Sequence, residues 1–182
     1  MLPTYVGAVG KDADGKLIKP YDRVLLSRYL YKIKSGDVIV FQYGNEIVQG
    51  ETVPRYLIKR VIATAGETIR FSAYGGDKYV RLEKKNANGV YEEVKEDYIN
   101  ETMLKNPPMN ATFPSSFKFD TDITVPESYI YVMGDNRNVS HDSRSISFVD
   151  VKSVDGKVVA VLGKEGLFNR LLTFFYKESV GR

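Results

Sequence analysis

Apolar residues fall in short runs along the chain, and glycine, proline or clustered polar residues bound each run. Runs of this length, rich in β-branched and aromatic side chains, are typical of strands rather than helices. They predict strands at 21–26, 38–41, 56–62, 130–133 and 157–162. The run at 38–41 is continuously apolar, which indicates a strand buried on both faces. The chain is therefore expected to be mainly β.

The middle of the chain shows a different pattern. Lys78–Glu83 alternates like a half-exposed strand, and Val90–Val94 follows an Asn-Gly turn as its partner. This arrangement predicts a β-hairpin. Lys105–Ser116 is rich in proline, asparagine and serine, so it is expected to be irregular.

The last apolar segment has helical rather than strand spacing. Residues 166–176 place leucine and phenylalanine on one stripe, which predicts a short C-terminal helix packed on the β core. The alternative is an amphipathic segment that lies on a bilayer surface. The predicted division is a β core from 1–72 and 120–165, an insertion from 73–119, and a helix from 166–182.

Composition excludes several classes of function. The 182 residues contain no cysteine, which excludes thiol catalysis, cysteine-based zinc sites and disulfides. With a single histidine, a histidine-rich metal site is also excluded, so no metal or cofactor is expected. The net charge of +3 is small and no basic–aromatic motif is present, so no nucleic-acid partner is expected. No window approaches the roughly 20 apolar residues of a membrane helix, and no signal peptide is seen.

A dense polar run follows the apolar strand predicted at 130–133. Gly134 ends the strand, and the run that follows contains Asp135, Arg137, Asp142 and Arg144. Such a run is either a solvated loop or a hydrogen-bonded network in which carboxylates and guanidiniums pair bidentately. A network of this kind would hold a catalytic side chain in place.

Two adjacent cations lie in the middle of the run at 56–62. Neighbouring strand residues face opposite sides, so Lys59 and Arg60 cannot share a face. They are either solvent-facing residues of an edge strand, or one of them points inward beside Leu57 and Val61. When a lysine is buried among apolar groups, its pKa falls from about 10.4 toward neutrality. A neutral lysine amine can take a proton from a serine hydroxyl, as in a Ser–Lys dyad.

Both stretches resemble motifs of the type I signal peptidases. The polar run matches every specified position of the Gly-Asp-Asn-Arg-x-x-Ser-x-Asp-Ser-Arg box, from Gly134 to Arg144. The strand at Lys59–Ile62 resembles the Lys-Arg-Val-Ile-Gly-x-Pro-Gly-Asp box, and 36–41 resembles a third. The second box departs after its strand, where Ala63, Ala65 and Glu67 replace glycine, proline and aspartate.

The resemblance implies a role for each matched residue. Lys59 falls on the catalytic lysine, which serves as general base and then as general acid. Ser140 falls on the serine whose hydroxyl contacts the lysine ammonium. Asp142 and Arg144 fall on an ion pair beneath it, with Arg60 close by, and these residues would hold Lys59 in one rotamer and set its electrostatics.

The first residues resemble the tail of the family's Ser-Met-x-Pro-Thr box, in which the serine is the nucleophile. The nucleophile is therefore expected directly before Met1, and a chain that begins at Met1 is expected to be inactive, with the family's membrane anchor removed. The substrate is expected to bind as an added β-strand. Met1, Tyr5, Leu57 and Ile58 are the candidate residues for its side-chain pockets.

The resemblance implies a bacterial serine endopeptidase with a coiled, barrel-like β core, on the extracytoplasmic face of the cell membrane. Its partners would be the membrane surface and the signal peptides of exported preproteins, with pilins as one group of them. The alternative is a non-catalytic, signal-peptidase-like assembly factor for surface proteins or pili. A second rival, a self-cleaving repressor, would need a DNA-binding domain. The insertion is expected to be a lid-like excursion away from the dyad.

Overall fold

The computed structural model of the protein describes residues 24–28, 32–48, 50–99, 101–107 and 113–161. Strands dominate these residues, with one short α-helix and a 3-10 turn at Val151–Ser153. The elements are β1 (Val24–Ser27), β2 (Val38–Val48), β3 (Glu51–Thr64), β4 (Thr68–Tyr74), β5 (Tyr79–Lys85), β6 (Tyr91–Glu93), β7 (Ile123–Thr124), β8 (Tyr129–Met133), α1 (Ser143–Ile146), β9 (Val149–Asp150) and β10 (Val154–Val161). The prediction of a mainly β protein is confirmed. The helix predicted at 166–176 lies outside the described residues.

The chain divides into two compact units. The first includes residues 28–157 and holds the described side chains of the candidate site. The described part of the second consists of β1 and the end of β10, which are neighbours in the strand order. The division into core, insertion and C-terminal helix remains a prediction.

The larger sheet of the first unit has the order β10-β2-β3-β8-β9. β2 and β3 form a long antiparallel hairpin in which Ile39 pairs with Lys59 and Val38 pairs with Arg60. β8 pairs with β3 on the other side, starting at Arg60 opposite Met133. The strand that carries Lys59 is therefore held between two others only from Arg60 onward.

β8 is buried on both faces, which explains why its sequence is continuously apolar. Ile130 and Val132 pack into one buried cluster with Ile39, Phe41, Val61 and Val149. Tyr131 and Met133 pack into the other, which includes Phe71, Phe113 and Met103. Successive residues of β8 thus contribute to opposite clusters, as the two-residue period of a strand requires.

The smaller sheet has the order β6-β5-β4-β7. β5 pairs with β6 in antiparallel register, with Lys85 opposite Tyr91, which confirms the predicted hairpin. Phe71 of β4 stacks near Tyr131 of β8, with ring centroids 6.0 Å apart, and contacts Phe113. Aromatic packing thus joins the smaller sheet to the strand that leads into the polar run.

Among the residues that the structure describes, no helix has both the length and the apolar character needed to cross a membrane.

Candidate active site

Lys59 lies near the end of β3, on the strand face that also carries Leu57 and Val61. Both of these neighbours pack against the cluster around Ile39 and Phe41. The lysine side chain is half-buried, and its Nζ donates a hydrogen bond to the Ile58 carbonyl oxygen at 3.1 Å. The amine is therefore held against apolar surroundings rather than extended into solvent.

Burial lowers the pKa of Lys59 below its ordinary value of 10.5. The carboxylates of Asp142 and Asp135 oppose this lowering, because they favour the charged ammonium. The guanidiniums of Arg144 and Arg55 add to it, because a nearby positive charge disfavours a second one. Desolvation is the largest of these effects, and the net result is a lowered pKa, so the amine loses its proton more readily than an exposed lysine does.

Gly134 is the point at which the Lys59 and Ser140 side chains meet. A Cβ added to Gly134 would lie 2.2 Å from Ser140 Oγ and 3.8 Å from Lys59 Cδ. Glycine is needed here because of Ser140, since real Cβ atoms do not approach other atoms within 3.0 Å, whereas the distance to Lys59 is an ordinary van der Waals contact. The Ser140 hydroxyl is buried and has no hydrogen-bond partner among the described residues. The structure thus brings Ser140 beside Lys59 without a hydrogen bond between them.

Asp142 and Arg144 form a fully buried ion pair just beyond this point. Asp142 Oδ1 accepts from Arg144 Nε at 2.9 Å, and Oδ2 accepts from Nη2 at 2.8 Å. Both side chains have 0% exposure. Asp142 Oδ2 also accepts the Gly134 backbone N–H at 3.0 Å, and Asp142 caps the start of α1. The pair therefore ties the end of β8 to the helix that follows it.

Burial raises the pKa of Asp142, but the Arg144 guanidinium and the Gly134 N–H outweigh it. The pKa of Asp142 therefore lies below its ordinary value of 3.8. The Ser140 hydroxyl lies close enough to add to this lowering, although it falls short of hydrogen-bond geometry. Asp142 is thus a permanent negative charge beside Lys59 at neutral pH.

Arg60 makes a separate ion pair. Its Nε and Nη2 donate to the two Asp135 carboxylate oxygens at 2.9 and 2.8 Å, and its Nη1 donates to the Gly36 carbonyl at 2.9 Å. The guanidinium also lies over the Tyr98 ring, 3.9 Å from its centroid. Lys59 and Arg60 thus contact different groups, as expected for strand neighbours that face opposite sides.

The sequence reasoning missed a third buried ion pair. Arg137 is 1% exposed, and its Nη1 donates to Glu96 at 2.6 Å. Its Nε donates to the Gly134 carbonyl at 3.1 Å, and the Tyr98 hydroxyl donates to Glu96 at 2.8 Å. Glu96 and Tyr98 belong to the predicted insertion, in which no motif marked them. The polar run itself was the available signal, because a buried Arg137 needs an acidic partner from elsewhere in the chain.

His141 does not join its neighbours in a triad. It is exposed, and its Nδ1 lies 3.1 Å from Ser145 Oγ while its Nε2 lies 3.4 Å from the Tyr43 hydroxyl. Asp142 instead pairs with Arg144. His141 is therefore a surface residue.

The predicted substrate-binding residues fall into two groups. Leu57 and Ile58 are half-buried and pair with Phe41 and Val40 on the β2 side only. Among the described pairings, β8 joins β3 only from Arg60 onward, so the other side of this stretch carries no strand. Met1 and Tyr5 lie outside the described residues.

Comparison with known proteins places this site in a family. The family model described as "Signal peptidase, peptidase S26" matches residues 16–162. Since that match covers most of the chain, the protein belongs to the signal peptidase family of peptidases.

Curated relatives point the same way. Signal peptidase I of Aquifex aeolicus is 30% identical, over 77% of this chain and 68% of that protein. The probable signal peptidase I-1 of Synechocystis is 29% identical, over 74% of this chain and 59% of that protein. Signal peptidase I of Bacillus licheniformis is 28% identical, over 79% of this chain and 64% of that protein. The chain thus spans between 59% and 68% of the length of these relatives.

A solved structure also matches. The crystal structure of a signal peptidase I from Enterococcus faecalis aligns with 72% of this chain and 100% of that chain, with 25% identity and a TM-score of 0.41.

Asp142→Asn tests the buried ion pair. It leaves Arg144 as an uncompensated buried charge, so we expect unfolding in denaturant to show a loss of about 3–5 kcal/mol. Because the pKa of Asp142 is lowered on folding, its contribution is present above the unfolded pKa of about 3.9 and is lost as pH falls through the folded pKa. This loss with acid should be absent from the variant.

Asp97→Asn is the matched control, because Asp97 is exposed. It should stay within about 0.5 kcal/mol of the parent protein. An equal effect of the two substitutions would contradict the assignment of the ion pair.

Proposed function

We propose that this chain is the catalytic part of a peptidase that removes signal peptides from exported preproteins, with Lys59 as its general base. The observation that carries the proposal is a desolvated lysine that lies beside Gly134 and Ser140, next to a turn bound by the buried Asp142–Arg144 ion pair. Family membership supports the broader statement that the protein is a peptidase. The roles of individual residues in the mechanism are part of the proposal.

The chemistry follows from the neutral amine. The serine that the resemblance places directly before Met1 would attack the scissile carbonyl carbon while Lys59 takes its hydroxyl proton. The Lys59 ammonium would then give that proton to the leaving amine. A water molecule, deprotonated in turn by Lys59, would attack the acyl carbon, and the Lys59 ammonium would return the proton to the serine oxygen as its bond to the acyl carbon breaks. Backbone amides near the serine would stabilise the oxyanion.

The open side of β3 supports an extended mode of substrate binding. The backbone of 57–59 is paired with β2 on one side and, among the described residues, with no strand on the other. A substrate that pairs with this stretch as an added strand would run past Lys59. Its main-chain hydrogen bonds to β3 would set its register. Leu57 and Ile58 would then line the path of its side chains, together with Met1 and Tyr5.

The proposal includes the setting as well as the chemistry. The protein would act at the extracytoplasmic face of a bacterial membrane, where exported preproteins emerge, and pilins would be one group of substrates. A non-catalytic assembly role for surface proteins or pili would not require a desolvated amine. The burial of Lys59 therefore favours the peptidase.

Lys59→Met tests the general base in a protein that carries serine directly before Met1. We expect cleavage of a signal-peptide substrate to fall by about 10²–10⁴-fold, because the serine loses its proton acceptor. The fold should persist, since methionine fills similar space and removes a buried polar group. Lys152→Met, at an exposed position, is the matched control and should cleave like the parent. A form that begins at Met1 should show no turnover. Undiminished cleavage by Lys59→Met would remove Lys59 from the mechanism.

Arg55→Gln tests the electrostatics of the amine. Arg55 lies four residues before Lys59 on β3, and its positive charge lowers the pKa of Lys59. Removing that charge should raise the pKa, so the acidic limb of the cleavage pH profile should move to higher pH. Because Arg55 is exposed, the shift should shrink at about 1 M salt, where the Debye length is roughly 3 Å. A shift to lower pH would contradict the assignment of that limb to Lys59.

A further inference from the structure

We propose that Glu96 and Tyr98 of the insertion are positioning residues for Lys59, acting through the turn at Gly134 and Asp135. The inference rests on the proposed role of Lys59 as general base. It assigns a part in the site to a segment that carries no motif. Neither residue touches the amine in the described contacts, so each acts through another side chain.

Glu96 acts through Arg137. The Arg137 guanidinium donates to both carboxylate oxygens of Glu96, and its Nε donates to the Gly134 carbonyl at 3.1 Å. The Arg137 side chain is 0% exposed and that of Glu96 is 7% exposed. Solvent therefore cannot replace either partner, and the pair fixes Arg137 where it can hold Gly134. Gly134 is the residue on which the Lys59 and Ser140 side chains pack.

Tyr98 acts through Arg60. Its ring lies under the Arg60 guanidinium at 3.9 Å, and its hydroxyl donates to Glu96 at 2.8 Å. Arg60 in turn holds Asp135 with two hydrogen bonds. Tyr98 therefore contacts two ion pairs, which together we call the clamp. One is Glu96–Arg137, which holds Gly134, and the other is Arg60–Asp135.

The two ion pairs of the clamp restrain Gly134 and Asp135, which are consecutive residues of one turn. Arg137, which is paired with Glu96 of the insertion, donates to the Gly134 carbonyl. Asp142 accepts the Gly134 N–H. Loss of Glu96 would leave Arg137 as an unpaired buried cation that must move toward solvent or another carboxylate. The Gly134 turn would then loosen, and water would reach the Lys59 amine.

The charged groups that act on Lys59 are Asp142, Arg144, Arg55 and Asp135, and none of them belongs to the insertion. Desolvation is a larger influence on the pKa of Lys59 than any one of these charges. An effect of the insertion on the amine should therefore arise mainly from solvent access. For that reason, loosening the clamp should raise the pKa of Lys59 toward that of an exposed lysine.

The experiment is competitive labelling of the lysines with trace acetic anhydride across a pH series, with each site quantified by mass spectrometry. In Glu96→Gln, we expect the labelling midpoint of Lys59 to move to higher pH, toward that of exposed Lys152 in the same sample. Cleavage at neutral pH, in the protein with serine before Met1, should fall by about tenfold. Glu93→Gln makes the same change at an exposed position three residues earlier and should alter neither result.

Tyr98→Phe is the second variant. It keeps the ring under Arg60 and removes only the hydroxyl bond to Glu96, so it should fold even if Glu96→Gln does not. We expect a smaller shift of the Lys59 midpoint in the same direction. If the role of Tyr98 is purely structural, its substitution should lower the unfolding temperature. The labelling midpoint of Lys59 should then stay unchanged at temperatures well below that of unfolding.

The labelling result is independent of proteolysis, so the two proposals can fail separately. If Lys59→Met still cleaves, the proposed general base is wrong, whatever the labelling shows. If Lys59 is essential but its midpoint is the same in the parent, Glu96→Gln and Tyr98→Phe, the positioning role is overturned. For a Glu96→Gln protein that does not fold, the Tyr98→Phe midpoint alone decides.

Discussion

The site depends on one buried ion pair, between Asp142 and Arg144. Both side chains are removed from solvent, so their charges must be paired within the protein, and Asp142 also accepts the Gly134 N–H. This last bond couples the ion pair to the turn on which Lys59 and Ser140 pack. The cost of desolvating two charges is offset only when geometry is good and every hydrogen bond is made. The polar run is therefore rigid because its charges are buried, and a solvated loop of the same composition would not be.

A second consequence concerns the balance of charges around Lys59. Placing a carboxylate near a lysine normally raises the lysine's pKa and works against a general base. Here Arg144 neutralises Asp142 at close range, so the carboxylate can organise the turn while much of its field is cancelled at the amine. Desolvation by the neighbouring core then determines the direction of the shift.

The sequence predicted the elements whose signal is local. Continuous apolar runs marked β8 and the start of β2, and the Asn-Gly turn marked the β5–β6 hairpin, because those patterns reflect burial and turn geometry within a few residues. The sequence also predicted that Lys59 and Arg60 face opposite sides of their strand, because side-chain direction alternates along a strand. The contacts of Glu96 and Tyr98 with the polar run could not be found this way. They join residues about forty positions apart, and no spacing rule relates an acidic residue in the loop after β6 to an arginine in the run after β8. β4 was also missed, although Ile69 and Phe71 alternate with polar neighbours.

Folding makes the Lys59 amine lose its proton more readily than a lysine in water does. The most direct test is a site-resolved titration of the lysines of the unmodified chain, under native and then denaturing conditions. The account predicts that Lys59 titrates below the exposed lysines in the folded protein, and that this difference disappears on unfolding. A Lys59 that titrates with the exposed lysines under native conditions would contradict it.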